Sequence, residues 1–352
     1  MPLLKFNNVG IRGFSAAVPA TVINNYEYTE FFKSEDVKEV VDKIGVKERR
    51  FVTHEQCSSD LCYAAANKLL DDLNVSREDI DLLVFVSQTP DYRMPATAIS
   101  LQDRLGLNKD TIAFDISLGC SGFIYGLSTV YAYMQTGNFK KALLLNGETR
   151  SKVYSPKDRK TAFLFGDGGT AVLIENDEKY GESFFSMNSD GALSDLIKIE
   201  AGGYRNMSTC ETVEERVVDE YGNIRSAEHG VMKGGDVFNF VLKEVPKDFK
   251  KLISFGNIDT NSTDYFVFHQ ANDFMNSYLA KKLKVSIDKV PSSIAKFGNT
   301  SSVSIPLTIV SELRGKLEGN KSLFLSGFGV GMSWGCAYIK IADSYISHIV
   351  EI

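Results

Sequence analysis

The sequence predicts an α/β protein built from two similar halves packed as one layered unit. Apolar runs at 81–87, 142–146, 264–268 and 321–326 are continuous rather than alternating, as in strands covered on both faces. Segments of helical periodicity separate these runs. The order of elements in the first half then recurs in the second, with little residual identity. A helix at 237–252 and the strand at 264–268 correspond to a helix at 58–73 and the strand at 81–87. A helix at 272–283 answers one at 94–105, and an apolar helix at 303–317 answers the one that follows residue 120. The halves are assigned to 1–178 and 179–352.

In chain order, residues 9–18 read as a first strand closed by Pro19. The acidic stretch 26–42 has helical character and ends in a turn at Gly45, followed by Lys47, Arg49 and Arg50. Leu61, Ala65, Leu69 and Leu73 form a stripe at four-residue spacing, one face of a helix. Phe123, Ile124, Leu127, Val130, Tyr131 and Met134 do the same for the next long helix, with Gly137 as its stop. Gly122 and Gly126 share a face of that helix, where each costs about 1 kcal/mol relative to alanine. Close approach by another backbone or by a ligand accounts for them. Residues 161–174 predict two strand pieces around a glycine turn. The span 189–235 departs from the repeat, with an acidic run of Glu211, Glu214, Glu215, Asp219 and Glu220. A segment of this kind is either a lid or binding loop or a solvated excursion.

A chain of 352 residues, 43% hydrophobic and 24% charged, suffices for one large core or two medium ones. A net charge of −6 argues against nucleic acid as the main partner. No apolar run approaches the roughly 18 residues that span a bilayer. The first eight residues are broken by polar side chains too early for a secretory signal, so no membrane partner is expected. The five cysteines, at 57, 62, 120, 210 and 336, are odd in number, scattered and without C-x-x-C. That usage suits free thiols in a reducing compartment, hence a cytoplasmic location, and no metal. The four histidines do not cluster at ligand spacing either.

Cys120 stands where a short buried strand turns into a helix. Unpaired N–H groups and the positive end of the helix dipole favour a thiolate there. Alone, such a cysteine reads more readily as a buried structural residue. His269 leaves the end of a strongly apolar strand, and Asn299 lies in a Gly-Asn-Thr turn; either alone reads as a hydrogen-bonding structural residue. Together they stand at strand ends, where doubly wound sheets place their sites. A nucleophilic thiol, an imidazole and an amide also form a chemically coherent set.

Five stretches run in one order through nearly the whole chain: Gly-Cys-Ser-Gly-Phe at 119–123, Phe-Gly-Asp-Gly at 165–168, His-Gln-Ala-Asn at 269–272, Gly-Asn-Thr-Ser at 298–301, and Gly-Phe-Gly-Val-Gly-Met-Ser-Trp-Gly at 327–335. Jointly they resemble β-ketoacyl-acyl-carrier-protein synthase III, within the thiolase superfamily of condensing enzymes. The resemblance implies a thiolase-like five-layered αβαβα architecture, a homodimer, and a role in fatty acid biosynthesis. It implies that Cys120 takes an acyl group from a CoA or acyl-carrier-protein thioester. His269 and Asn299 then stabilise the enolate that forms when a malonyl thioester loses CO2, and that carbanion attacks the acyl group on Cys120. The backbone N–H groups of Cys120 and Val330 form an oxyanion hole. No cofactor is permanently bound.

The resemblance extends to substrate-binding positions at Lys43, Arg159, Phe165 and Phe328, and to a docking pair for the carrier protein at Lys281 and Lys282. Met94 stands where the family has a phenylalanine that lines the acyl pocket from the partner subunit. Three positions depart from the family pattern. Glu39 falls where a tryptophan stacks on the CoA adenine, Lys43 where an arginine stands, and Phe274 where an arginine helps the carrier protein dock. The donor is therefore open between acyl-CoA and acyl carrier protein. The alternative acceptor is an oxygen or nitrogen nucleophile of a sugar or amine, to which relatives of this kind pass the acyl group.

Overall fold

In the computed structural model, which describes residues 3–352, the apolar runs become the inner strands of two mixed sheets. The larger sheet runs in space as Tyr345–Ile346, Val9–Val18, Asp167–Asn176, Lys141–Thr149, Ile80–Val86 and Ile112–Ile116, with Val350–Glu351 also on Val9–Val18. The smaller runs as Leu3–Asn7, Glu182–Ser189, Ser333–Ala342, Asn320–Gly329 and Tyr265–Phe268. Val9–Val18, Asp167–Asn176, Lys141–Thr149 and Ile80–Val86 pair antiparallel, antiparallel, then parallel. Glu182–Ser189, Ser333–Ala342, Asn320–Gly329 and Tyr265–Phe268 repeat that sequence of directions. The chain ends cross over. Leu3–Asn7 pairs with Glu182–Ser189, while Tyr345–Ile346 and Val350–Glu351 pair with Val9–Val18. A cut at residue 178 thus separates the sheets everywhere except at the termini, where each end covers a strand that would otherwise be an open edge.

Helices fill three layers around the sheets. Between the sheets lie Gly122–Thr136 and Ser304–Glu312, apolar nearly all round, packed on Val84, Val86 and Leu144 of one sheet and on Leu323, Leu325 and Ala337 of the other. Ser58–Asp72 and Thr97–Arg104 cover the outer face of the larger sheet, with Leu61, Leu69 and Leu101 against Leu83, Leu143 and Leu173. Gly234–Gly256 and Asp273–Leu283 cover the smaller one, with Val241, Phe249 and Leu279 against Phe266 and Phe324. The result is the expected αβαβα stack. It also explains the continuous apolar runs: in Ile80–Val86, alternate residues enter the central and outer cores, so both faces need apolar side chains. Each such side chain contributes about 1.5–3 kcal/mol when fully buried. No helix of the described residues is long and apolar enough to cross a membrane.

Several local expectations change. The acidic stretch at 26–42 is not one helix. The Asn24 side chain accepts the Tyr26 N–H and closes a separate short turn at Asn25–Glu27, and the helix spans Ser34–Ile44 with Gly45 left-handed at its end. Residues 161–174 are a turn and a single strand, Asp167–Asn176. Gly169 lies inside that strand because the Ser58–Asp72 helix presses on it, where a Cβ would sit 2.6 Å from Leu61 Cβ, and Gly168 faces Val303 on the opposite side at 3.2 Å. Gly126 is explained by a close strand, since its Cβ would lie 2.8 Å from Val86 and Leu144 side-chain atoms. Asn299 does not end a strand. It follows the short helix Ile294–Phe297 and forms an isolated bridge with Phe165.

Candidate active site

Where the halves meet, a cavity of about 360 Å³ opens, and Cys120, His269, Asn299, Phe165, Phe328 and Val330 all line it. Cys120 follows the strand Ile112–Ile116 and precedes the helix Gly122–Thr136. The Val330 N–H lies where it favours the thiolate. Gly329 is obligatory beside it, because a Cβ there would lie 2.7 Å from Cys120 Sγ, at a φ of +153°. Burial raises the Cys120 pKa, but the His269 charge and hydrogen bond, the Arg150 guanidinium and the Val330 N–H outweigh it and bring it down to about 7. Two side chains, His269 and Arg150, thus favour the anionic sulfur in addition to its place before the helix. One of the helix's first N–H groups is already engaged, with Gly122 donating to Gly119 O at 2.6 Å.

His269 and Asn299 are each fixed so that an N–H remains for the cavity. The Ser304 hydroxyl accepts the Gln270 N–H at 3.4 Å and lies 2.7 Å from His269 Nδ1. Its own proton then goes to Nδ1, which leaves the imidazole proton on Nε2. Phe328 meets the imidazole edge-on, with centroids 5.6 Å apart. Asn299 Oδ1 accepts the Ser301 N–H at 2.9 Å, so its Nδ2 is the free end of the amide. The Asn299 backbone is held on both sides, donating to Leu164 O and accepting from Gly166 N–H. Two preorganised donors beside a low-pKa sulfur are able to hold negative charge on a thioester oxygen.

Arg150 and Glu148 belong to the site and carry no motif. They extend the buried strand Lys141–Thr149, and their signal in the sequence is only that charged residues continue a run that should be apolar. Arg150 Nη2 donates to Ser301 Oγ at 2.6 Å, and that hydroxyl lies 4.0 Å from Cys120 Sγ. Burial pushes the Glu148 carboxyl up, against the opposing pull of Arg150. The polar span 189–235 also contributes. Ile197–Ile199 pairs with Gly230–Met232, and Ile197, Ile199 and Met232 form one wall of the cavity. The intervening excursion exposes Tyr204, Met207 and Tyr221.

Comparison with known proteins gives the family. A profile for 3-oxoacyl-(acyl-carrier-protein) synthase III matches residues 114–191, and the profile for its C-terminal part matches 254–341. A β-ketoacyl-(acyl-carrier-protein) synthase III of Clostridioides difficile (strain 630) is 35% identical over 332 residues, 94% of this chain and 98% of the relative. The chain belongs to the 3-oxoacyl-(acyl-carrier-protein) synthase III family of condensing acyltransferases. A putative 3-oxoacyl-(acyl-carrier-protein) synthase 3 of Campylobacter jejuni is 35% identical over 98% of both chains. The crystal structure of a 3-oxoacyl-(acyl-carrier-protein) synthase from Burkholderia xenovorans LB400 superposes with a TM-score of 0.93 at 38% identity, covering 100% of this chain and 99% of that one.

The remaining positions suggested by the synthase III resemblance lie outside the cavity. Lys43 is exposed in the last turn of Ser34–Ile44. Arg159 is held by the carboxylates of that same helix, 3.6 Å from Asp36 and 3.8 Å from Glu39. Met94 is 80% exposed. Lys281 and Lys282 are exposed at the end of Asp273–Leu283. Nearby, Phe274 and Tyr278 of that helix form an exposed aromatic cluster with Phe238. Phe165 lines the cavity and stacks on Tyr154, with centroids 4.0 Å apart and rings 5° from parallel.

Proposed function

We propose that this synthase III family member acylates Cys120 and condenses the acyl group with a malonyl thioester, with loss of CO2, to give a β-ketoacyl thioester for fatty acid biosynthesis. One observation carries the reading: a single cavity holds a sulfur with a pKa of about 7 together with the His269 imidazole that faces it and the free amide N–H of Asn299. The Cys120 thiolate attacks the donor thioester carbonyl. The tetrahedral oxyanion is held by the N–H groups of Cys120 and Val330, and the donor's pantetheine thiolate leaves and takes up a proton. The malonyl thioester next binds with its carbonyl oxygen between His269 Nε2 and Asn299 Nδ2. As the C–C bond to the carboxylate breaks, its electron pair passes to the thioester enolate, which those two donors stabilise by about 3–4 kcal/mol each. The enolate carbon attacks the acyl-Cys120 carbonyl. Collapse of that intermediate expels the Cys120 thiolate, which needs no proton because its pKa lies near 7. An uncharged amide at 299 suits this step, where a carboxylate would repel the enolate.

Phe165 and Phe328 flank the pantetheine arm and the reacting carbonyls in this reading. The donor is read as a carrier-bound thioester, because Arg159 is occupied by Asp36 and Glu39 and offers less to a CoA phosphate. Lys281 and Lys282 then meet the acidic carrier beside the aromatic cluster of Phe238, Phe274 and Tyr278, and Lys43 adds a further cation on that side. A cytoplasmic homodimer is part of the proposal. The edge strand Ile112–Ile116, with exposed Tyr92, Met94 and Ile99 close in sequence to it, offers the joining surface, and Met94 would reach the partner's acyl pocket. Incubation with acyl-CoA and acyl-carrier-protein donors, followed by intact mass measurement, tests the reading. An acyl mass on the wild type and none on Cys120→Ala is expected; an adduct that survives the substitution would refute it.

A further inference from the structure

The cavity has two chemically different sides. Ile197, Ile199, Met232, Val237 and Met275 form an apolar wall, whereas Gln88, Ser117, Arg150 and Tyr154 line the side next to the nucleophile. That polar side touches the Cys120 turn directly. A Cβ on Gly119 would lie 2.4 Å from Gln88 Oε1 and 2.9 Å from Arg150 Nη2. Arg150 faces Glu148 through Nε and Nη2, at 3.4 Å to each carboxylate oxygen. Nη2 also donates to Gln88 Oε1 at 2.9 Å and to Ser301 Oγ at 2.6 Å. The Glu148 oxygens further accept from the Gln88 N–H, Thr89 Oγ1 and Ser302 Oγ.

Among Gln88, Glu148 and Arg150 this arrangement uses up the acceptors and leaves donors. Gln88 Oε1 and both Glu148 oxygens are engaged, while Gln88 Nε2 and Arg150 Nη1 have no acceptor among the described residues. Glu148 already faces the guanidinium at 3.4 Å, so an uncharged oxygen acceptor suffices for the N–H groups left over. A plain alkyl chain on Cys120 would displace water from those donors and give nothing in return. An acyl group carrying an oxygen acceptor would satisfy them.

We propose that this polar side makes the enzyme select a short acyl group bearing an uncharged oxygen acceptor, a hydroxyl or keto group near its thioester carbonyl, over the plain alkyl chain of the same length. Gln88 and Arg150 are the specificity-determining residues. The proposal rests on the acylation of Cys120 read above and goes beyond it in naming the acyl class. Sites that hydrogen-bond a substrate group reject the analogue lacking it strongly, so a preference of at least about tenfold is expected.

The test is competition on the wild-type protein. Equal concentrations of 3-hydroxybutyryl and butyryl thioesters on the same carrier are offered, then acetoacetyl against butyryl, and the Cys120 adducts are counted by intact mass. An oxygenated adduct at least about tenfold in excess is the expected result in one or both pairs. Equal loading, or butyryl in excess in both, would overturn the proposal while leaving the acyl-enzyme intact. No adduct from any donor would bring down the acyl-enzyme reading and this one with it. Gln88→Leu, which keeps the Arg150–Glu148 pair, should shift the ratio toward butyryl. An unchanged ratio in a folded Gln88→Leu protein would remove Gln88 from the selection.

Discussion

The pKa of Cys120 makes a prediction that can be worked through in numbers. Its thiol sits near 7 against an ordinary value of 9.0, although burial alone acts in the opposite direction. The difference corresponds to about 2.7 kcal/mol in favour of the anion. At pH 6, well below both values, it gives a thiolate fraction about a hundredfold above that of an ordinary thiol. Cys62 supplies the internal control. It is also buried, the pull of Arg104 is outweighed by burial, and its thiol is pushed far above the usual range. His269→Ala removes the largest of the lowering influences and leaves the sulfur buried, so the Cys120 pKa should move upward toward the behaviour of Cys62. The assay is the rate of iodoacetamide alkylation across pH 5–10, resolved by peptide so that Cys57 and Cys210 are counted apart. The sign follows from the thiolate being the reactive form: Cys120 alkylation should rise with pH through a midpoint near 7 in the wild type. In His269→Ala the midpoint should lie well above that. A wild-type midpoint near 9, or one that His269→Ala leaves in place, would refute the reasoning.

Other substitutions separate the remaining roles. Asn299→Ala should reduce condensation by about 10²–10³-fold while Cys120 acylation falls far less; equal losses, measured by product formation and intact mass, would make Asn299 a packing residue. Gly329→Ala forces a Cβ to 2.7 Å from Cys120 Sγ in a backbone region that alanine avoids. Acylation should drop by about 100-fold or more with the circular dichroism spectrum unchanged. Tyr131 lies fully buried with no partner for its hydroxyl among the described residues. Tyr131→Phe should therefore be neutral or stabilising by up to about 1 kcal/mol in urea unfolding, and a clear loss would reveal an unrecognised partner.

Much of the layered architecture was legible because each layer leaves its own pattern. Strands covered on both faces lose alternation, and central helices lose their polar face, so 81–87 and the helix after Cys120 could be read directly. The repeat of strand order followed from those elements. The crossing of the termini did not, because Leu3–Asn7 and Val350–Glu351 are too short to carry a pattern that says which sheet they join. The Asp167–Asn176 strand was misread as two pieces because its glycines answer neighbours pressing from other parts of the chain, which local sequence cannot report. Cys120, His269 and Asn299 could be singled out as types suited to one chemistry. The share of the low thiol pKa that Arg150 adds to that of His269 could not. Arg150 lies thirty residues along, carries no motif and reaches Ser301 in the other half of the molecule.

Carbon dioxide is the most direct witness to the central claim. With Cys120 loaded and malonyl carrier protein labelled at its free carboxylate, the account predicts one equivalent of labelled CO2 for each β-ketoacyl thioester formed, and none of either from Asn299→Ala at comparable times. Discharge of the acyl group from Cys120 without release of label would contradict it, and would mean that the thiolate serves a transfer to some other acceptor.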